Sequence, residues 1–238
     1  MQYLTGVYWD VGEFRRQNQD SILLLQTLTG RGRIVLAAVC DGMGGHDEGA
    51  VMSALVTRAL QEWYYEFLVR ACYKRKRIWV IQRALDRLLY HLQEKIRKDC
   101  ENREIEAGTT LSVLVLLEGK YLLWHLGDSR IYRFGRKRCV EALTTDHVTE
   151  DGRLTKCVGS FGFFVPDHRY GVTGRGNSFL LCSDGFFRRT AIGELGEVLA
   201  PEEIQTEEQI RRRLREIADC DRRRGERDNI SAVYIKVR

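Results

Sequence analysis

Proline is almost missing from this sequence: Pro166 and Pro201 are the only two in 238 residues. That scarcity excludes a Pro-rich linker, and neither a Ser/Gly spacer nor an internal repeat takes its place. One domain spanning 1–238 is therefore the expected organisation. No apolar stretch approaches the ~20 residues that span a bilayer. The opening "MQYLTGVYWDVGEFRR" lacks a basic head followed by a long apolar core, so it does not read as a signal peptide. The seven cysteines are odd in number and form no C-x-x-C pair. Cys40, Cys139 and Cys182 lie inside apolar runs, which suits small buried hydrophobes in a reducing compartment better than a disulfide framework. A cytoplasmic protein without membrane association is expected. Net charge is only +5, and aromatic residues do not interleave with basic ones as a base-stacking surface requires, so no nucleic-acid partner is expected.

The apolar patterning that is present changes period along the chain. Residues 2–9 and 20–28 read as strands, and "TGRGR" (29–33) turns the second into a hairpin with 34–40. From about Glu48 the spacing becomes helical, with Val51, Leu55, Ala59, Trp63 and Phe67 on one stripe. A second helix carries Ile78, Ile81, Leu85, Leu88, Leu92 and Ile96 on its stripe, and "YKRKR" (73–77) is the exposed connection between the two. Two β-rich runs meet at "EGK" (118–120), a hairpin signal, and a loop-rich stretch covers 144–177. A buried strand follows at 178–185. Thr206 and Gln209 stand in capping-box spacing at the start of a helix over 206–219. The final strand, 229–237, places Val233, Ile235 and Val237 on one side. Strands at the start, middle and end with a helical pair inserted are not an alternating βαβ pattern; they predict an α+β fold of antiparallel sheets covered by helices.

Five aspartates sit at the edges of these apolar segments: Asp20, Asp41, Asp128, Asp184 and Asp228. One Asp beside Gly at a strand end is usually a turn former. Five in one sheet domain can converge, and converging carboxylates raise one another's pKa unless cations hold them. Oxygen-only ligation suits Mg²⁺ or Mn²⁺, whereas the five histidines lack zinc-site spacing. "DGMGGH" (41–46) could be an ordinary turn, a phosphate-cradling loop or a metal site, but it lacks the Lys-Ser/Thr of a P-loop and is not G-x-G-x-x-G. "SDG" (183–185) is not a G-x-S-x-G elbow, and no Cys heads a C-x5-R loop. The chemistry left is metal-activated water attacking an electrophile such as phosphorus.

In order along the chain, "RRQNQDS" (15–21), "DGMGGH" (41–46), "GTTLSVLVL" (108–116), "GDSRIYR" (127–133), "LTTDH" (143–147), "CSDGF" (182–186) and "RDNISAV" (227–233) resemble the metal-dependent protein phosphatases, the PPM or type 2C serine/threonine family, in compact bacterial form. The resemblance implies a four-layer α-β-β-α sandwich of two antiparallel sheets flanked by helices. It implies two Mn²⁺ or Mg²⁺ ions, bridged by Asp41, with Asp184 and Asp228 completing one and the Gly42 carbonyl binding the other. A third, weaker ion would use Asp128 with Asp184. Asp20 would hydrogen-bond metal-bound waters, Arg15 would bind the substrate phosphate, and Asn229 would brace the Asp228 loop. Phosphorylated proteins are the implied partners, with a serine/threonine kinase acting opposite, and the chain is expected to work as a monomer.

Three departures from the family pattern stand out. Gln19 occupies a position where many members have Glu, which lowers the negative charge of the site. Met43 stands where animal members have a His proposed as general acid, and His46, three residues on, reads as a loop hydrogen-bonder. The stretch between "LTTDH" and "CSDG" is short, so the helical flap of many bacterial members is minimal or absent. The alternative function is an inactive regulator of the same fold that binds phosphoproteins or a kinase. Retention of Asp41, Asp184 and Asp228 favours the enzyme.

Overall fold

The computed structural model describes residues 1–45, 47–159, 162 and 164–238. Its organisation follows from the run 34–40. Along β3 (Gly32–Gly44) side chains alternate between the two faces of a sheet. Ile34, Leu36, Ala38 and Cys40 enter one apolar cluster, and Val35, Ala37 and Val39 enter another. A strand that is apolar on both faces needs cover on both, which is why this run carries no polar alternation.

Two strands precede it, β1 (Tyr3–Asp10) and β2 (Asp20–Thr29), and β2 pairs antiparallel with β3 as the expected hairpin. Then α1 (Glu48–Trp63) runs through a π-helical turn (Tyr64–Leu68) into α2 (Val69–Tyr73), and α3 (Ile78–Arg103) follows. The strands β4 (Ala107–Thr109), β5 (Leu111–Leu117), β6 (Lys120–Leu126), β7 (Arg130–Phe134), β8 (Val140–Ala142), β9 (Val158–Gly159), β10 (Asp167–Val172) and β11 (Ser178–Cys182) come next. Three helices, α4 (Asp184–Phe187), α5 (Ile192–Val198) and α6 (Glu207–Arg223), lead to β12 (Ile230–Val237). One sheet has the order β1-β12-β11-β7-β8, and the other β10-β6-β5-β3-β4-β9 with β2 also on β3.

Three apolar layers hold four structural layers together. Met52, Val56 and Leu60 of α1 and Ile81, Leu85 and Ile96 of α3 pack on Leu36, Val113 and Trp124 of the larger sheet. Between the sheets lie Val39, Leu114, Phe179, Leu181, Val233 and Ile235. On the far side Leu180 and Tyr234 meet Leu195, Ile210 and Leu214 of α5 and α6. This is the expected α+β sandwich, helices outside two antiparallel sheets. No described helix is long and apolar enough to cross a membrane.

Local signals act as the sequence implies. Glu118 and Gly119 both adopt positive φ (48° and 73°), as a two-residue turn matching the strand twist requires. Thr206 Oγ1 accepts the Gln209 N–H at 3.2 Å, and Gln209 Oε1 accepts the Thr206 N–H at 3.2 Å, closing the capping box on α6.

Several expectations need correction. Of the expected α1 stripe Trp63 is buried, Leu55, Ala59 and Phe67 are half-buried and Val51 is exposed, while the fully buried Met52, Val56 and Leu60 lie one residue on. Leu89 rather than Leu88 is fully buried on α3. β3 does not stop at Asp41 but continues to Gly44, because β4 pairs with residues 42–44 after β5 has left off. β11 ends at Cys182, so Asp184 opens α4 rather than closing a strand. β10 lies within the stretch read as loop; its side chains are mostly exposed, so it carries no apolar alternation. Cys139 is exposed, not buried.

β1 packs against α6 so closely that a Cβ on Gly6 would lie 2.4 Å from Ile210 Cγ2. Gly6→Ala is expected to destabilise the fold by about 1–3 kcal/mol through overpacking. Urea unfolding followed by circular dichroism checks this; an unchanged midpoint would mean that α6 shifts freely on β1.

Candidate active site

The strand geometry brings distant carboxylates to one end of the sandwich. Asp20 begins β2 and stands opposite Asp41 in the β2–β3 register. Asp128 lies in the connection between β6 and β7, Asp184 starts α4 just after β11, and Asp228 precedes β12. Of the residues singled out in the sequence, Arg15, Asp41, Gly42, Asp128, Asp184 and Asp228 line one open cavity of about 810 Å³. Asp20 is buried (2% exposed) and is not part of the lining.

Each position is held by its neighbours. The main chain of Asp41 is clamped from both sides: its carbonyl accepts the Thr110 N–H at 2.8 Å and the Thr109 hydroxyl at 3.0 Å, while its N–H donates to Thr110 Oγ1 at 2.8 Å. Thr109 and Thr110 were legible only as part of a motif; their hydroxyls are what the motif supplies. At Gly42 a Cβ would sit 2.0 Å from the Gly49 carbonyl oxygen, so only glycine lets the start of α1 approach β3 here. Asp20 Oδ2 accepts the Ser183 hydroxyl at 2.9 Å, linking the β2 carboxylate to the residue before Asp184. Asn229 braces Asp228 as expected, its N–H donating to Asp228 Oδ1 at 2.9 Å, and its side chain does more. Its Nδ2 donates to the carbonyls of Val11 (2.8 Å) and Gln17 (3.1 Å), and its Oδ1 accepts the Gln19 N–H at 2.9 Å. It therefore ties the 11–19 loop to β12 and sets the position of Arg15. The Gly127 N–H donates to His147 Nδ1 at 3.1 Å, which leaves Nε2 to donate to Asp167 Oδ2 at 3.1 Å and anchors the turn carrying Asp128.

The charges are poorly compensated. Burial, with the charge of Asp228 nearby, pushes the Asp20 carboxyl up to about 6. Burial and the charges of Asp20, Asp128 and Asp228 hold Asp41 well above the usual carboxylate range. Asp128 is raised by burial and by Asp146. Asp20 Oδ1 and Asp184 Oδ1 are buried without a hydrogen-bond partner. Two arginines answer part of this charge. Arg15 forks onto Asp228, Nε to Oδ1 at 3.0 Å and Nη2 to Oδ2 at 2.9 Å. Arg188 pairs with Asp184.

Unpartnered buried carboxylate oxygens beside mutually repelling acids are a donor set that a hard divalent cation satisfies. Asp41, Gly42, Asp184 and Asp228 fit such ions in chemical type. Among the described residues no three acidic, His or Cys side chains converge into a ready-made cation shell. The arginine contacts account for that, since Asp228 and one oxygen of Asp184 are turned to guanidinium groups. The Asp128 side fits less well, because Arg188 stands there.

Met43 lines the cavity and offers no titratable group. His46 lies outside the described residues. No helix is found between β8 and β10 among the described residues, in keeping with a minimal flap. In its place a tight turn, with Val148 bridged to Leu154, brings Arg153 to the cavity wall. Arg153 and Arg188 gave no signal in the sequence, because arginines in a chain with 38 basic residues read as surface charge.

Comparison with known proteins bears on the chain as a whole. The family model described as protein phosphatase 2C matches residues 15–233. Protein phosphatase PhpP of Streptococcus pneumoniae is 26% identical over 213 residues, covering 80% of this chain and 81% of that protein. The structure of PppA from Pseudomonas aeruginosa superposes with a TM-score of 0.80 at 27% identity, covering 99% of this chain and 98% of that one. The catalytic domain of the phosphatase PstP, solved in complex with two manganese ions, gives a TM-score of 0.76 at 25% identity and covers 99% of both chains.

The raised Asp20 carboxyl makes a prediction about stability. The fold disfavours its charged form, so stability falls as pH rises from the ordinary carboxylate value toward about 6 and stays lowered above. In chelator-treated protein, Asp20→Asn is expected to stabilise by about 2–3 kcal/mol at pH 7.5 and by almost nothing at pH 3.5. Thermal unfolding at the two pH values checks this; an equal effect at both would exclude a buried charge as the cause.

Proposed function

The chain belongs to the protein phosphatase 2C family and is a phosphoprotein phosphatase, and from that premise we propose that it hydrolyses phosphoserine and phosphothreonine in proteins with Mn²⁺ or Mg²⁺ as cofactor. In this reading residues 1–238 act as a single domain and a cytoplasmic monomer, opposite a serine/threonine kinase. The observation that carries it is that Asp41, Asp184 and Asp228 line one open cavity beside Arg15, with Asp184 Oδ1 left buried and unpartnered.

Asp41, the Gly42 carbonyl, Asp184 and Asp228 would hold two divalent ions. When bound, such ions lower the pKa of a water and neutralise charge on phosphoryl oxygens. The rest falls to the chain's own groups. Water adds to phosphorus, the bond between phosphorus and the Ser or Thr oxygen breaks, and a proton reaches that leaving oxygen. Arg15 uses Nε and Nη2 on Asp228, which leaves its Nη1 donors for the phosphate dianion. Thr109 and Thr110 fix the Asp41 main chain, so its carboxylate faces the cavity without rearrangement. Asp20 sits behind this carboxylate and is locked by Ser183; it orients the charge in front of it. With methionine at position 43, no group there donates the proton, so protonation of the leaving oxygen falls to solvent entering the open cavity.

Purified protein is expected to hydrolyse p-nitrophenyl phosphate and a phosphothreonine peptide only when Mn²⁺ or Mg²⁺ is present. Asp184→Asn is expected to lower kcat by more than about a hundredfold. Wild-type protein without metal-dependent turnover on either substrate would favour the inactive regulator instead. Arg15→Lys keeps the charge but loses the planar fork, and is expected to raise KM for the phosphopeptide about tenfold. An unchanged KM would remove Arg15 from phosphate binding.

A further inference from the structure

We propose that the Arg188 guanidinium takes the place of a divalent cation on the Asp184–Asp128 side of the cavity, so that this chain holds two ions and disfavours a third. The proposal rests on the metal-dependent reading above and sharpens it.

Arg188 lies one helical turn beyond Asp184, at the end of α4, and its Nη2 pairs with Asp184 Oδ2. That leaves Asp184 Oδ1 as the buried, unpartnered oxygen available to a core ion. Nη1 of Arg188 lies 3.5 Å from Glu226 Oε1. Glu226 is itself almost fully buried, and the same oxygen accepts the N–H groups of Arg227 (2.8 Å) and Asp228 (3.1 Å). The guanidinium therefore connects the two segments that deliver Asp184 and Asp228 to the cavity. Asp128 lines the same cavity as Arg188.

A further divalent ion between Asp184 and Asp128 would meet two obstacles. One oxygen of Asp184 is already committed to Arg188, and the arriving cation would face a fixed positive charge a few ångströms away. A tethered guanidinium has a high effective concentration, so free cations displace it poorly. The core position is different, because Asp41 and Asp184 Oδ1 face it without a charged donor of their own, and the Arg15 fork on Asp228 is the more exposed of the two arginine pairs. Arginine so placed also limits the negative charge of the cavity, in the same direction as the neutral Gln19.

Mn²⁺ binding to the full chain, followed by the electron paramagnetic resonance signal of free Mn²⁺, tests this. Wild-type protein is expected to saturate at two ions. Arg188→Gln is expected to take up a third, or to bind its weakest ion about tenfold tighter or more. Adding Asp128→Asn to Arg188→Gln should abolish that gain. Arg188→Lys, which keeps a charge with shorter reach, should fall between and serves as the comparison should Arg188→Gln unfold; circular dichroism reports folding. Three ions on the wild type, or equal stoichiometry and affinity in all variants, would overturn the proposal and leave the two-ion reading standing. Absence of Mn²⁺ uptake by any form would overturn both.

Discussion

Everything at the open end of this sandwich depends on one electrostatic constraint: carboxylates from both sheets meet where too few positive charges face them. Asp20 and Asp41 are brought together by strand pairing, and Asp184 and Asp228 by the ends of β11 and β12 in the other sheet. The three apolar layers make this arrangement unavoidable. Once Val39, Leu114, Leu181 and Val233 are packed between the sheets, the strand ends above them have no freedom to separate. The fold thus spends packing stability to hold like charges together, which is the usual condition of a site built for cations or for reaction.

The chain meets part of that charge with arginine. Arg15 reaches across from the 11–19 loop to Asp228, and Arg188 folds back on Asp184. Both ion pairs are partly exposed, so they add little to the stability of the fold, and the Arg15–Asp228 pair, the more exposed of the two, rearranges at the smaller cost. Arg15 is thereby held on the cavity wall. Glu226, braced by backbone N–H groups, supports Asp228 from behind and receives Arg188. Neither arrangement needs a lid; the turn carrying Arg153 adds a third basic side chain to a cavity that stays open.

Much of this was legible in the sequence. Asp41, Asp128, Asp184 and Asp228 each follow or precede an apolar run, so their meeting at one end needed only the antiparallel topology. The layer order was legible for the same reason, since β3 and β5 are apolar without alternation and α6 announces its start with Thr206 and Gln209. What stayed hidden depended on contacts distant in sequence. β10 is edge-exposed and carries no apolar period. The first three turns of the α1 stripe differ by one residue because Val51 and Met52 are equally apolar, and only packing against β3 and β4 selects Met52. β3 passes Asp41 because β4, more than sixty residues later, supplies the next partner. Arg188 becomes part of the site only through the helical turn that places it over Asp184.

The central claim is that these carboxylates exist to hold divalent cations at Asp41. Anomalous diffraction at the manganese edge, from crystals grown with Mn²⁺, tests it most directly. Two manganese peaks are expected in the cavity, held by Asp41, Gly42, Asp184 and Asp228. A cavity without anomalous signal, or a manganese ion bound away from Asp41, would contradict it.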